Sequence, residues 1–197
     1  MPFMTFEQDQ TPESSKCNPV KNTGAIIMDM QASLLDAISN GVELIESNFL
    51  QIQLLQILGV PICFSEQVPS KLGETVSKLK DFDHDLPIFE KNTFSAFGAE
   101  SFSVWLDKND IKHLIVSGIE TPICIYQTCV DALRLNIKVT LLSDCTGGRR
   151  VHDIQNAISQ LRGFGCCVVS LETVIYSIMK DSSHSGFREV SRLVRNR

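Results

Sequence analysis

Six short apolar runs, separated by longer stretches with helical periodicity, constrain the fold of this chain more than any other feature. The runs are Ala25–Met28, Val60–Phe64, Pro87–Phe89, His113–Val116, Lys138–Leu142 and Cys166–Val169. Most are continuously apolar, which is the pattern of strands covered on both faces. Amphipathic helices are expected over Val42–Leu58, Ala99–Lys108, Ile123–Leu135 and Val151–Phe164, with two more, Leu171–Lys180 and Phe187–Arg195, after the last strand. Such alternation calls for right-handed crossovers and a parallel sheet between two helical layers. The expected fold class is therefore α/β, a three-layer α/β/α sandwich around a six-stranded, mostly parallel sheet. Its strand order is taken as the Rossmann-like 3-2-1-4-5-6, which makes strands one and four central neighbours. Residues 23–197 are assigned to this domain. Residues 1–22 are polar, proline-containing and aperiodic, and are expected to form a loosely ordered arm.

Composition narrows the function classes. A chain of 197 residues buries about 70 % of its unfolded surface without staples. The net charge of -5 weighs against nucleic acid or an anionic membrane as the main partner. The start, "MPFMTFEQDQTPESSKCNP", has neither the charged nor the apolar region of a secretory signal, and no apolar run approaches the ~18 residues of a membrane span. Seven cysteines without a C-x-x-C pair then read as thiols in a reducing compartment, and a cytoplasmic location is expected. Cys166 and Cys167, adjacent in the last strand, and Cys129 read as apolar fillers. Cys145 in "SDCTGG" reads as a turn and helix start.

Ligands of such sheets sit beyond the carboxyl ends of the strands. Three residues there carry chemistry. Asp29 closes the first strand, where a carboxylate is costly to desolvate unless a cation or donor meets it; the plain alternative is a cap on the next helix. Lys91, after the third strand, could be solvated, or could compensate Asp29 and favour a thiolate. Cys124 follows Gly118, Thr121 and Pro122 at a helix start, where Thr121 is expected to cap. Backbone N–H groups and the helix dipole lower a thiol pKa there from ~8.5 toward neutrality, and the same amides could hold an oxyanion. An inert buried cysteine is the alternative. "TGGRR" lacks a Walker pattern, and neither "DFDHDL" nor the scattered histidines have metal-ligand spacing. No metal and no cofactor is expected.

Taken together, "IIMDMQ", "FEKNTFSAF" and "LIVSGIETPICIYQTCVDALRLNIKVTLLSDC" resemble the aspartate, lysine and cysteine segments of the isochorismatase-like cysteine hydrolases. The likeness covers about Thr23 to Arg197. "SEQVPSKLGETV" and "SLETVIYSIMKDSSHSGFREVSRLV" are similar to the branch that includes animal isochorismatase domain-containing proteins. The resemblance implies a catalytic triad of Asp29, Lys91 and Cys124, and a thioester route for hydrolysis of a small amide or related acyl compound. It implies an oxyanion hole from the Glu120 and Cys124 amides, a cis peptide at Ile119–Glu120, and a homo-oligomer. Gln31, Gln67, Phe94 and Ile119 are expected to line the substrate pocket. "CFSEQVPSKLG" lacks the histidines of the metal-bound nicotinamidase site, so the expected site is metal-free. Pro122 replaces the family's usual histidine and removes one N–H donor. A non-catalytic binding or scaffold protein, and a redox-sensing thiol, are the alternatives.

Overall fold

The computed structural model describes residues 21–196. The expected arm over residues 1–22 thus lies outside the described residues, except for a turn at Lys21 and Asn22. The chain then runs β1 (Thr23–Met28), α1 (Ala32–Leu35), α2 (Gly41–Ile57), β2 (Ile62–Gln67), α3 (Pro69–Leu72), α4 (Ser77–Lys80) and β3 (Ile88–Lys91). A 3-10 turn, Ala96–Gly98, leads to α5 (Glu100–Lys108) and β4 (His113–Ile119). A π-helical turn, Thr121–Ile125, continues into α6 (Tyr126–Arg134), followed by β5 (Lys138–Gly147) and α7 (Val151–Gly163). The described chain closes with β6 (Cys167–Val169), α8 (Leu171–Met179) and α9 (Phe187–Arg195).

The six strands are parallel throughout, in the order β3-β2-β1-β4-β5-β6. This is the expected architecture. All six residues of β1 are buried. Because strand side chains alternate between faces, Ala25 and Ile27 join an apolar cluster with α2, α8 and α9, while Ile26 and Met28 join one with α5, α6 and α7. The two clusters are the two cores, and the sheet lies between them, its edge strands included through Ile88 and Phe89 of β3 and Val168 and Val169 of β6.

β5 is longer than its apolar run. It continues past Leu142 to Gly147, with a register shift against β4 between Val116 and Gly118. Asp144 does not end the strand because its Oδ1 accepts the Leu171 amide at the start of α8, 2.8 Å away. Cys145 is consequently a buried strand residue, its thiol 3.7 Å from the Ser47 carbonyl oxygen, and not part of a turn. Cys167 also departs from expectation: β6 is an edge strand, and this thiol is exposed while Cys129 and Cys166 are buried.

Gly118 fixes the approach of β4 to β1. Its φ is 109°, and a Cβ there would lie 2.2 Å from the Met28 carbonyl oxygen. Only glycine fits this position. Immediately beyond it, the chain opens between the two strands.

Candidate active site

Asp29 is the first residue past β1 and adopts a left-handed backbone, φ 58°. Its amide donates to the Ser65 carbonyl of β2 at 2.9 Å. Its carboxylate receives the Ser65 hydroxyl on Oδ1 and the Lys91 ammonium on Oδ2, each at 2.8 Å. The Lys91 Nζ also donates to Gln67 Oε1 at 2.6 Å and lies 3.5 Å from the Thr93 carbonyl oxygen. Both charged side chains are 0 % exposed. A buried ion pair is tolerated when its remaining lone pairs and protons also find partners, and β2 supplies them here through Ser65 and Gln67. Three adjacent strands therefore deliver Asp29, Gln67 and Lys91 to one point.

Cys124 reaches the same point from β4. Glu120 reverses the chain in a left-handed conformation, φ 59° and ψ 54°, and its carbonyl accepts the Ile123 and Ile125 amides at 2.9 and 3.4 Å. The Ile119–Glu120 peptide is trans, since no cis bond occurs among the described residues. The expected cis peptide is thus corrected: the left-handed Glu120 makes the turn instead. Thr121 does not cap. Its hydroxyl donates to the Gly147 carbonyl at 2.8 Å and lies 3.1 Å from Thr146 Oγ1, tying the turn to β5.

The thiol of Cys124 interacts with both Asp29 and Lys91, and its Sγ lies 4.0 Å from Gln67 Oε1. Burial, then the negative charge of Asp29, push the thiol up to about 12, against the opposing pull of Lys91. The expected depression toward neutrality is therefore reversed. At helix starts the dipole acts on a solvated thiol; here the thiol is buried, and desolvation of the thiolate is the larger effect. Burial thus favours the protonated form of the thiol.

Above Cys124 is a cavity of about 300 Å³. Gln67 and Phe94 line it, as expected, with Phe94 half exposed at its mouth. Gln31 and Ile119 are not among its walls. The Gln31 amide clamps backbone instead, accepting the Gln67 N–H at 2.7 Å and donating to the Gln67 and Gly73 carbonyls at 3.0 and 2.5 Å. Ile119 packs in the core on the α2 side of the sheet. Four features escaped the sequence: Ser65 on Asp29, the apolar walls Leu34 and Leu72, and the pair of Glu120 Oε1 with Arg149 Nε at 2.9 Å. Ser65 had a signal, a hydroxyl inside the apolar run "ICFSEQ". Among the described residues, no group of three or more His, Cys, Asp or Glu is placed to hold a metal ion. No helix among them is long and apolar enough to cross a membrane.

The parallel 3-2-1-4-5-6 sheet between helical layers matches the fold of solved isochorismatase-like proteins. The chain belongs to the isochorismatase domain family, which matches residues 23–173. Isochorismatase domain-containing protein 1 of Salmo salar is 28 % identical over 167 residues, 85 % of this chain. The chain spans 59 % of the length of that relative. Isochorismatase family protein 1A of Dictyostelium discoideum is 29 % identical over 175 residues, covering 87 % of this chain and 85 % of that one. Among solved structures, MAR1 ribonuclease from Caenorhabditis elegans superposes with a TM-score of 0.82 at 28 % identity, over 89 % of this chain and 90 % of that one. YcaC from Escherichia coli, described as an octameric hydrolase of unknown specificity, shares the fold with a TM-score of 0.78 at 18 % identity, over 90 % and 94 % of the two chains.

Proposed function

We propose that the chain hydrolyses a small amide or related acyl compound through a thioester on Cys124. The observation that carries this reading is the fully buried Asp29–Lys91 ion pair beside the Cys124 thiol, which lines the cavity. In a purely structural role, such a pair would be an unfavourable substitute for apolar packing. Next to a protonated nucleophile it is a base with its counter-ion.

In this reading, Sγ attacks the carbonyl carbon as its proton passes to Asp29, and a C–S bond forms. The carbonyl oxygen takes up the negative charge and is held by the Glu120 and Cys124 amides, donors typically worth about 3–4 kcal/mol each. Collapse of this intermediate breaks the C–N bond, and Asp29 returns the proton to the departing amine or ammonia. Water then attacks the thioester, releases the carboxylic acid and restores the thiol. Lys91 compensates Asp29 throughout and steadies the sulfur as it loses its proton. A raised resting pKa suits this sequence, because deprotonation coincides with attack and no free thiolate is exposed to oxidants.

The cavity volume and mostly apolar walls support a small-molecule substrate. The name of the Caenorhabditis elegans neighbour raises RNA as an alternative. A net charge of -5 and a pocket of about 300 Å³ favour the small molecule. No cofactor enters the scheme. A homo-oligomer in a cytoplasmic setting completes the reading. A non-catalytic binding or scaffold protein that retains the hydrolase fold is the second reading. A screen of small amides separates the two: turnover that Cys124→Ala abolishes supports hydrolysis, and turnover retained in that variant removes Cys124 from the mechanism.

A further inference from the structure

We infer that Glu120 selects substrates bearing an N–H donor beside the scissile carbonyl, primary amides and ureides, and disfavours anionic ones; this rests on Cys124 as the nucleophile. The groups facing the cavity differ in what they have left to offer. Gln67 has little left to accept with: its Oε1 accepts from Lys91, and one N–H of its Nε2 donates to the Asn92 carbonyl at 3.0 Å. The Ser33 hydroxyl donates to the Leu72 carbonyl at 2.6 Å. Glu120 is different. Its side chain is 10 % exposed, Oε1 is paired with Arg149, and Oε2 is shut off from solvent without a hydrogen-bond partner.

A buried carboxylate oxygen with no donor is an unfavourable arrangement that a ligand can relieve. Glu120 lines the cavity together with Cys124. Its backbone is fixed, because its carbonyl holds the Ile123 and Ile125 amides. The terminal torsion of a glutamate is broad, so a small turn of the carboxylate presents Oε2 to the cavity while Oε1 stays near Arg149. An N–H donor arriving there completes the unsatisfied oxygen. A carboxylate would instead meet a negative group already holding the nearest guanidinium nitrogen, and Arg149 itself is 55 % exposed. The size of the cavity, about 300 Å³, corresponds to about ten water volumes. A cavity of this size suits a compact ligand.

Three alkylating probes test this without knowledge of the natural substrate. Iodoacetamide carries N–H donors, N,N-dimethyliodoacetamide has none, and iodoacetate is an anion. In each case Sγ displaces iodide and loses its proton, and the adduct on Cys124 is counted by peptide mass spectrometry, with rates normalised to glutathione. Iodoacetamide is expected to react at least about tenfold faster than either competitor. Glu120→Gln is expected to bring the preference over the dimethyl probe close to one, since Arg149 claims the new carbonyl and leaves an NH₂ facing the cavity. Arg149→Gln, which alters an exposed side chain, is expected to sharpen rejection of iodoacetate severalfold.

Equal normalised rates in the wild type, a preference for iodoacetate, or a preference undiminished in Glu120→Gln would each overturn the inference. If that variant does not fold, the Arg149→Gln arm decides. Should Cys124 resist all three reagents, the thioester scheme fails and selectivity is read separately. In Cys124→Ser, propionamide should then still bind about tenfold more tightly than N,N-dimethylpropionamide by NMR titration, and equal affinity would overturn the role of Glu120.

Discussion

Asp29 and Lys91 exist in their buried state only as a pair. Lys91→Met leaves Asp29 as an uncompensated buried carboxylate, and chemical denaturation is expected to show a loss of about 3–5 kcal/mol. The double variant Asp29→Asn, Lys91→Met removes both charges and should recover much of that loss; a double variant no more stable than the single one would contradict it. Cys124 makes a claim of its own at alkaline pH. Its folded-state pKa lies above that of an unfolded thiol, so its stabilising contribution is complete below about pH 8.5 and drains as pH rises toward about 12. Each such thiol lowers stability by up to about 1.4 kcal/mol per pH unit in that window. Denaturation midpoints of wild type should therefore fall more steeply above about pH 9 than those of Cys124→Ala, and parallel slopes would argue against a raised thiol. At this scale the sequence was informative where a residue type was out of place. A carboxylate after "GAIIM" and a lysine after a short strand were visible. The pKa of Cys124 was not, because its sign depends on how deeply the sulfur is buried, and helix-start chemistry alone points the other way.

Each strand end does a separate job in positioning these residues. β1 and β4 run in register up to Met28 and Gly118, and each then breaks into a left-handed residue, Asp29 and Glu120. Such non-glycine conformations cost of order 1–3 kcal/mol each and persist where surrounding structure holds them. Gly118 is the joint that allows it. Gly118→Ala places a methyl against the Met28 backbone, and is expected to destabilise the fold by at least about 2 kcal/mol in denaturant titrations. Wild-type stability in that variant would contradict the close approach. The strands and long helices were legible from apolar runs and helical periodicity. The short helices α1, α3 and α4, the extension of β5 and the π turn were not. They depend on contacts from distant segments, such as Asp144 on the Leu171 amide and Thr121 on the Gly147 carbonyl, which carry no local pattern.

For the whole molecule, a parallel sheet gathers groups far apart in sequence, from Asp29 to Arg149, at one carboxyl edge between two cores. The topology accounts for the three segments "IIMDMQ", "FEKNTFSAF" and "SGIETPIC" belonging together. Pocket walls were less legible than the charged groups, because Leu34 and Leu72 are ordinary apolar residues in sequence and become walls only through the packing of α1 on α3. Association belongs to this scale as well. Light scattering is expected to return a multiple of the 21.9 kDa chain mass, and a monomer mass across the micromolar range would contradict the proposed homo-oligomer. The thioester on Cys124 is tested most directly by rapid-quench mass spectrometry of the intact protein mixed with small primary amides. The expected result is a transient adduct equal to the amide less ammonia, located on Cys124 and missing from Cys124→Ala. Hydrolysis of the same amide at undiminished rate by Cys124→Ala would contradict it.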